Sequence, residues 1–368
     1  MTTAHHISTR QVVLAAIASL ALMLVASPAF LASDIAALEG GARAPWRAVP
    51  ADAPLSIDRA TRARKALRRP THARTWKMSY TAHNGALRDA VVVLPDWYGP
   101  HRHPPLPMVI SPHGRGLNGA SNARLWGDLP ALGSFVLVSP DGEGRRRHDT
   151  SWGWRGQIDD LARMPKLVEK ALPWLEIDAT RVYAVGGSMG GQETLLLVAS
   201  HPEVLAGAAA IDSVTDFALQ YRNFPRLKCN ARCRRDIGSR GLVLQGQARD
   251  EIGGTPDDAP AAYAERSAMS FAREVAASCV PLQVWWSSKD EIVVDSKLQS
   301  GRFVRALRAF VPRAAVEEYA GRWIHTRVMR ADRQLPLVVE RFGLLRDRWG
   351  VRPKLRYTAT AGTGCAAR

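Results

Sequence analysis

From about Arg74 onward, apolar runs of strand length alternate with stretches of helical spacing. The runs Pro107–Ser111, Phe135–Ser139, Val182–Val185, Gly207–Ile211 and Leu282–Trp286 are largely apolar, and Ala315–Tyr319, although it carries Glu317 and Glu318, is of the same length. Apolar runs of that length predict strands buried on both faces, the mark of a parallel sheet. Between them, Ile158–Leu172, Gln192–Ala199, Lys297–Phe310 and Thr326–Glu340 predict helices. Ahead of them, Thr75–Thr81 and Arg88–Leu94 flank the turn residues Asn84-Gly85 and predict an antiparallel hairpin at the sheet edge. The expected class is α/β, a mostly parallel central sheet flanked by helices. The stretch 214–280 is too long for an ordinary crossover and is expected to be an inserted, cap-like segment.

The pattern changes towards the N-terminus. A short polar region ends in Arg10, an apolar stretch runs from Val12 to Ala26, and Ser27-Pro28-Ala29 supplies small residues around a helix breaker. This is the layout of an export signal over residues 1–29. The apolar stretch is slightly short for a bilayer span, so removal is favoured over an uncleaved anchor. Residues 30–73, rich in Ala, Pro and Arg, read as an irregular leader. Residues 74–345 form the expected catalytic domain and 346–368 a tail. The expected location is outside the cytoplasm, secreted or in the cell envelope.

Composition narrows the classes. A hydrophobic fraction of 46% supports a full core, and the net charge of +16 raises the question of nucleic acid. No zinc-knuckle spacing or interleaved aromatic–basic strand is present to read bases, so no specific nucleic-acid partner is expected. Contact with an acidic envelope surface stays open. In an oxidising compartment Cys229, Cys233, Cys279 and Cys365 suit disulfides, with a pairing that spacing does not decide. Neither a metal nor an organic cofactor is expected.

The chemistry concentrates at Gly186-Gly187-Ser188-Met189-Gly190-Gly191, which follows the Val182–Val185 run and opens a helical stretch. G-x-S-x-G between strand and helix is a nucleophile elbow. A serine needs a base, and the base an orienting acid, in the chain order Ser, acid, His. His201 sits too near the nucleophile helix, leaving His325 as the base, in a loop after the last strand. The acid is read as Asp290, beyond the run Leu282–Trp286, whose carboxyl end should open into the crevice. Glu291 is expected to face away, and Asp295 to cap the next helix. The oxyanion donors are expected at Met189 and at either Gly114 or Arg115 in His113-Gly114-Arg115-Gly116. His113 is expected to hold that loop. Among the aromatics, Trp323 and Trp152 are the candidates for substrate contact.

On the elbow, on Ser287–Val294 and on Gly253–Ser267, the segment from about Arg74 to Gly343 resembles the prolyl oligopeptidase and dienelactone hydrolase-like branch of the α/β-hydrolases. Ser139-Pro140-Asp141-Gly142 and Ser151-Trp152-Gly153-Trp154 also resemble secreted feruloyl esterases and polyhydroxybutyrate depolymerase-like esterases. The resemblance implies the α/β-hydrolase fold and a serine hydrolase acting on a small-molecule or polymeric ester. It leaves open a serine peptidase acting on peptide or acyl-peptide amides. A catalytically silent envelope binding protein is the reading from another class. The leader is too short for the β-propeller that prolyl oligopeptidases carry.

Overall fold

The computed structural model describes residues 72–146, 148–227, 241–311, 315–345 and 357–360. The expected export signal, the leader up to residue 71 and Cys229, Cys233 and Cys365 lie outside them, while Ala73, expected at the end of the leader, opens the first strand. Among the described residues no helix is long and apolar enough to cross a membrane.

All eight expected strands form: β1 Ala73–Thr81, β2 Leu87–Pro95, β3 Leu106–Ile110, β4 Val136–Pro140, β5 Ile177–Gly187, β6 Gly207–Ile211, β7 Leu282–Ser287 and β8 Val316–Gly321. A ninth, β9 Tyr357–Thr360, pairs antiparallel with β8, so the expected tail contributes an edge strand. The sheet order is β1-β2-β4-β3-β5-β6-β7-β8-β9. β3 to β8 run parallel, while β1, β2 and β9 run against their neighbours.

The uninterrupted apolar runs have a direct physical explanation. Successive side chains leave a strand on opposite faces, and here each face has its own core. Met108, Ile110, Val136, Val138, Val182, Ala184, Ala208, Ala210, Leu282 and Val284 enter one cluster. The residues between them, Val109, Leu137, Tyr183, Val185, Ala209 and Ile211, enter the other.

Helices cover both faces. In chain order they are α1 Gly119–Ala123, α2 Leu129–Gly133, α3 Arg155–Ala171, α4 Met189–Ser200, α5 Phe217–Asn223, α6 Gly241–Ile252, α7 Pro260–Glu265, α8 Ala272–Ala277, α9 Arg302–Phe310 and α10 Leu335–Arg341. Leu161 and Val168 of α3, Leu195 and Leu197 of α4 and Phe303 and Leu307 of α9 pack on the first face. Leu129, Leu335, Val338 and Val339 pack on the second. Each such side chain contributes about 1.5–3 kcal/mol by leaving water.

Two expected helices are shorter than their patterns. A π-helical turn over Lys297–Gly301 precedes α9. The stretch expected to be helical from Thr326 begins its helix only at Leu335. Thr326 has φ +49° and its N–H is taken by the Asp212 carboxylate at 2.7 Å. The left-handed backbone at Thr326 interrupts a helix there.

The 214–280 segment carries α5, α6, α7 and α8. Phe217, Tyr221, Phe224, Leu244, Ala248, Ile252 and Tyr263 form a third cluster with Trp152 and Met189. The insertion therefore sits against the residue that follows Ser188.

Candidate active site

The parallel strands end nearly level, with Gly187 opposite Ile211, Ile211 opposite Trp285 and Ser287 opposite Gly321. The residues just past β5, β6, β7 and β8 therefore emerge side by side. They include Ser188, Asp212, Asp290 and His325. Crevices at the carboxyl ends of parallel strands are where open α/β sheets gather chemistry, above all where strand order reverses. β3 lies between β4 and β5, so the reversal falls where the β3 and β5 loops face each other.

Ser188 is half-buried and stands at φ +58°, ψ −123°, between β5 and the first residue of α4. A non-glycine residue at positive φ is strained, and here the fold imposes the strain: the Ser188 N–H is held by Ile211 O at 2.9 Å. A Cβ on Gly190 would lie 2.2 Å from Pro112 O. Only glycine there lets the loop after β3 close on the helix start. Gly187 performs the same service on the other side, since a Cβ there would meet Met329 Sδ at 2.6 Å and Thr326 Cγ2 at 3.2 Å. The loop carrying His325 thus closes over the elbow.

His325 Nδ1 lies 2.8 Å from Asp290 Oδ2. A carboxylate only accepts, so Nδ1 carries the proton and Nε2 is left for other work. The other Asp290 oxygen accepts the N–H groups of Ile292 and Val293 at 2.8 and 2.9 Å, which fixes the carboxylate plane. Burial opposes the charged ring. The Asp290 carboxylate and its hydrogen bond, with Asp212 and Glu291 behind, outweigh burial and hold His325 above its ordinary pKa.

Two backbone segments face this pair. Met189 is the first residue of α4, where a helix leaves N–H groups without intrahelical partners. A Cβ on Gly114 would lie 3.6 Å from Ser188 Cβ, so the β3 loop runs against the serine. As expected, His113 holds that loop. Its Nε2 accepts the Gly142 N–H at 2.7 Å while Nδ1 donates to Gly114 O at 2.9 Å. Acceptance at Nε2 requires a neutral ring, and burial lowers the His113 pKa accordingly. The half-buried Arg115 side chain donates to Gln247 of α6 in the insertion.

Asp295 stands apart from the site. It has φ +59°, its carbonyl accepts from Leu298 and Gln299 at the start of the next helical turn, and its carboxylate pairs with Arg226 at 2.7 Å. Trp152 is buried against Phe217 and Phe224 and borders a cavity of about 120 Å³ with Arg146, Thr150, Gln247, Asp250 and Glu251. Trp323, expected at the substrate, lies instead in the core at 4% exposure. Its indole N–H donates to Asp212, at 2.9 Å from Oδ2 and 3.1 Å from Oδ1.

Asp212 is the site residue that sequence reasoning missed. It is buried, and it offers a carboxylate oxygen within 4.8 Å of ligand atoms on Asp290 and His325. Burial, and then the Asp290 charge, push its pKa up to about 7. The signal available in the sequence was an acid standing directly after the wholly apolar strand Gly207–Ile211. His83, Glu143 and Asp160 likewise offer clustered ligand atoms. There Arg88 and Arg163 already balance the two carboxylates, and the cluster ties the β1–β2 hairpin to α3.

No family model matches the chain. Among curated proteins, the poly(3-hydroxyalkanoate) depolymerase C of Paucimonas lemoignei is 30% identical over 113 residues, which is 28% of this chain and 27% of that protein. The matched segment thus spans about a quarter of that relative's length. Among solved structures, an acylaminoacyl peptidase from Pyrococcus horikoshii matches with TM-score 0.55 and 15% identity, over 82% of this chain and 46% of its own. A thermostable esterase from Pseudomonas putida ECU1011 matches with TM-score 0.51 and 18% identity, over 80% of this chain and 90% of its own. This is the α/β-hydrolase fold. Both neighbours share it at low identity, and between them they cut different bonds. The α/β-hydrolase frame therefore places the strand ends, while loops and insertion decide what they act on.

Proposed function

We propose that the protein is an exported serine hydrolase that cleaves carboxylic esters through an acyl-enzyme on Ser188. Ser188 Oγ attacks the ester carbonyl, and His325 Nε2 takes the serine proton. Asp290 holds the imidazole in the tautomer that leaves Nε2 free and stabilises it once charged. The developing oxyanion lies against the Met189 N–H and an N–H of the Gly114–Arg115 loop, beside the positive end of α4. The protonated His325 returns its proton to the leaving alkoxide. Water then repeats the sequence on the acyl-enzyme with His325 again as base.

One observation carries this reading: a serine at left-handed φ beside the loop of a histidine whose Nδ1 is locked on a buried carboxylate at 2.8 Å. An ester is preferred to an amide because the similar depolymerase is named for a polyester. Export rests on the N-terminal pattern of Arg10, Val12–Ala26 and Pro28.

The test is labelling with a fluorophosphonate probe, followed by turnover of p-nitrophenyl esters beside aminoacyl and prolyl amides. The wild type should label and Ser188→Ala should not. A label that persists on Ser188→Ala removes the nucleophile assignment. Amides turning over faster than esters remove the ester reading and leave a peptidase.

A further inference from the structure

Resting on that triad, we propose that Asp212 is a positioning residue for His325: a second buried carboxylate that grips both sides of the histidine loop and sets a further negative charge behind the ring. It stands directly after β6, with its own N–H on Trp285 O at 2.8 Å and φ +48°. That backbone turn aims the side chain sideways, across β7, towards the loop after β8.

The grip is specific. Asp212 Oδ2 accepts the Thr326 N–H at 2.7 Å and the Trp323 indole N–H at 2.9 Å. These residues bracket His325 in the sequence Trp323-Ile324-His325-Thr326. Ser287 completes the clamp: its Oγ donates to Trp323 O at 2.5 Å and accepts the Trp323 N–H at 2.7 Å. Without Asp212 the indole N–H of the buried Trp323 and the N–H of the half-buried Thr326 would both lose this acceptor.

An uncharged acceptor would suffice to hold two N–H groups, so the charge needs its own account. A carboxylate at 1% exposure beside Asp290 is costly, and the raised pKa of Asp212 reflects that cost. The groups that face it are Asp290 from the β7 loop, and His325, Trp323 and Thr326 from the β8 loop. Of these only His325 gains a positive charge during the reaction. Asp212 also helps to raise the His325 pKa, after the larger effect of Asp290. The second carboxylate thus acts on the same proton that the triad moves.

Asp212→Asn separates grip from charge, because its amide oxygen can take both N–H groups while the charge is lost. Asp212→Ala removes both. Wild type and both variants of the full chain are compared by fluorophosphonate labelling, thermal midpoint and the pH profile of kcat and kcat/KM on a p-nitrophenyl ester. For Asp212→Asn, kcat on the alkaline plateau should fall about ten-fold with KM within about two-fold, as for lost charge stabilisation confined to the transition state. The acid limb of kcat/KM should move to lower pH, since the imidazolium has lost a supporting charge. Asp212→Ala should lose more activity and also melt earlier. A profile for Asp212→Asn that overlays the wild type overturns the charge role. An unchanged thermal midpoint and kcat in Asp212→Ala overturn the grip. Failure of the wild type to label would strike the triad reading itself, and is thereby distinguishable from either result.

Discussion

Replacing Gly190 with alanine asks the nucleophile helix and the loop after β3 to share space that one of them must yield. The added Cβ would lie 2.2 Å from Pro112 O, 2.8 Å from Pro112 C and 3.0 Å from His113 O. All three are backbone atoms, so no rotamer change relieves the clash. An ordinary C···O contact is about 3.3–3.6 Å, and the loop must therefore retreat by about 1 Å. It is not free to do so: Ser111 N–H is on Val138 O at 2.8 Å, and His113 is fastened to Gly142. Overpacking of this kind costs about 1–3 kcal/mol, which lowers the melting midpoint by about 2–4 °C for each kcal/mol.

The catalytic consequence should be larger than the thermal one. The retreating segment carries Gly114, which stands against Ser188 Cβ. Loss of one oxyanion donor costs about 10²–10³ in kcat. The expected result is a kcat for ester hydrolysis down about 100-fold, with KM little changed, in a protein that still folds. Gly246→Ala is the matched control, because a Cβ there meets nothing within 4 Å, in the middle of helix Gly241–Ile252. That change should leave activity alone and stabilise by about 0.5–1 kcal/mol through helix entropy. If Gly190→Ala retained the kcat and melting midpoint of Gly246→Ala, the argument that the oxyanion loop is seated by this glycine would be wrong.

Three further outcomes follow from named contacts. Asp290→Asn should drop kcat by about 10⁴ with little change in KM, because the imidazole loses the acceptor that selects its tautomer; a loss under about ten-fold would remove Asp290 from the triad. The acid limb of kcat/KM should fall above 6.5, the ordinary histidine value, because the net effect of its surroundings raises His325; a midpoint below it refutes the assignment. Glu193 is buried on the nucleophile helix with a Ser151 hydroxyl as its partner, and burial raises its pKa well above 4.5. The folded state therefore binds the extra proton, so stability falls as pH rises from that ordinary value through the raised one. Glu193→Gln should flatten the dependence and stabilise the protein at neutral pH, by about 1.4 kcal/mol per pKa unit removed. Parallel curves of melting midpoint against pH for the two proteins would contradict this.

The elbow was legible because its requirement is local. A strand, a sharp turn and a helix must join within six residues, and the glycines around Ser188 are needed whatever surrounds them. The inner strands were legible for a related reason, since burial on both faces writes a largely apolar run, while the mostly exposed edge strand β1 was legible from the Asn84-Gly85 turn. Asp290 and His325 followed from chain order, and the structure places both within hydrogen-bonding reach of each other. β9 escaped because an edge strand of four residues has little periodicity to read. The stretch from Thr326 read as helix because its apolar spacing is helical, although Thr326 itself stands at φ +49° and the helix begins only at Leu335.

Sequence alone thus determined what proximity along the chain controls: the strand runs, the hairpin, the strained serine and the order of its partners. Tertiary structure decided what depends on strands ending level. It set Asp212 beside Asp290 and His325, turned Trp323 inward onto that carboxylate, and folded the insertion against Met189. The physical reason is that hydrogen bonding and burial between loops depend on the sheet's register. That register fixes which strand ends are neighbours, and no single segment contains it.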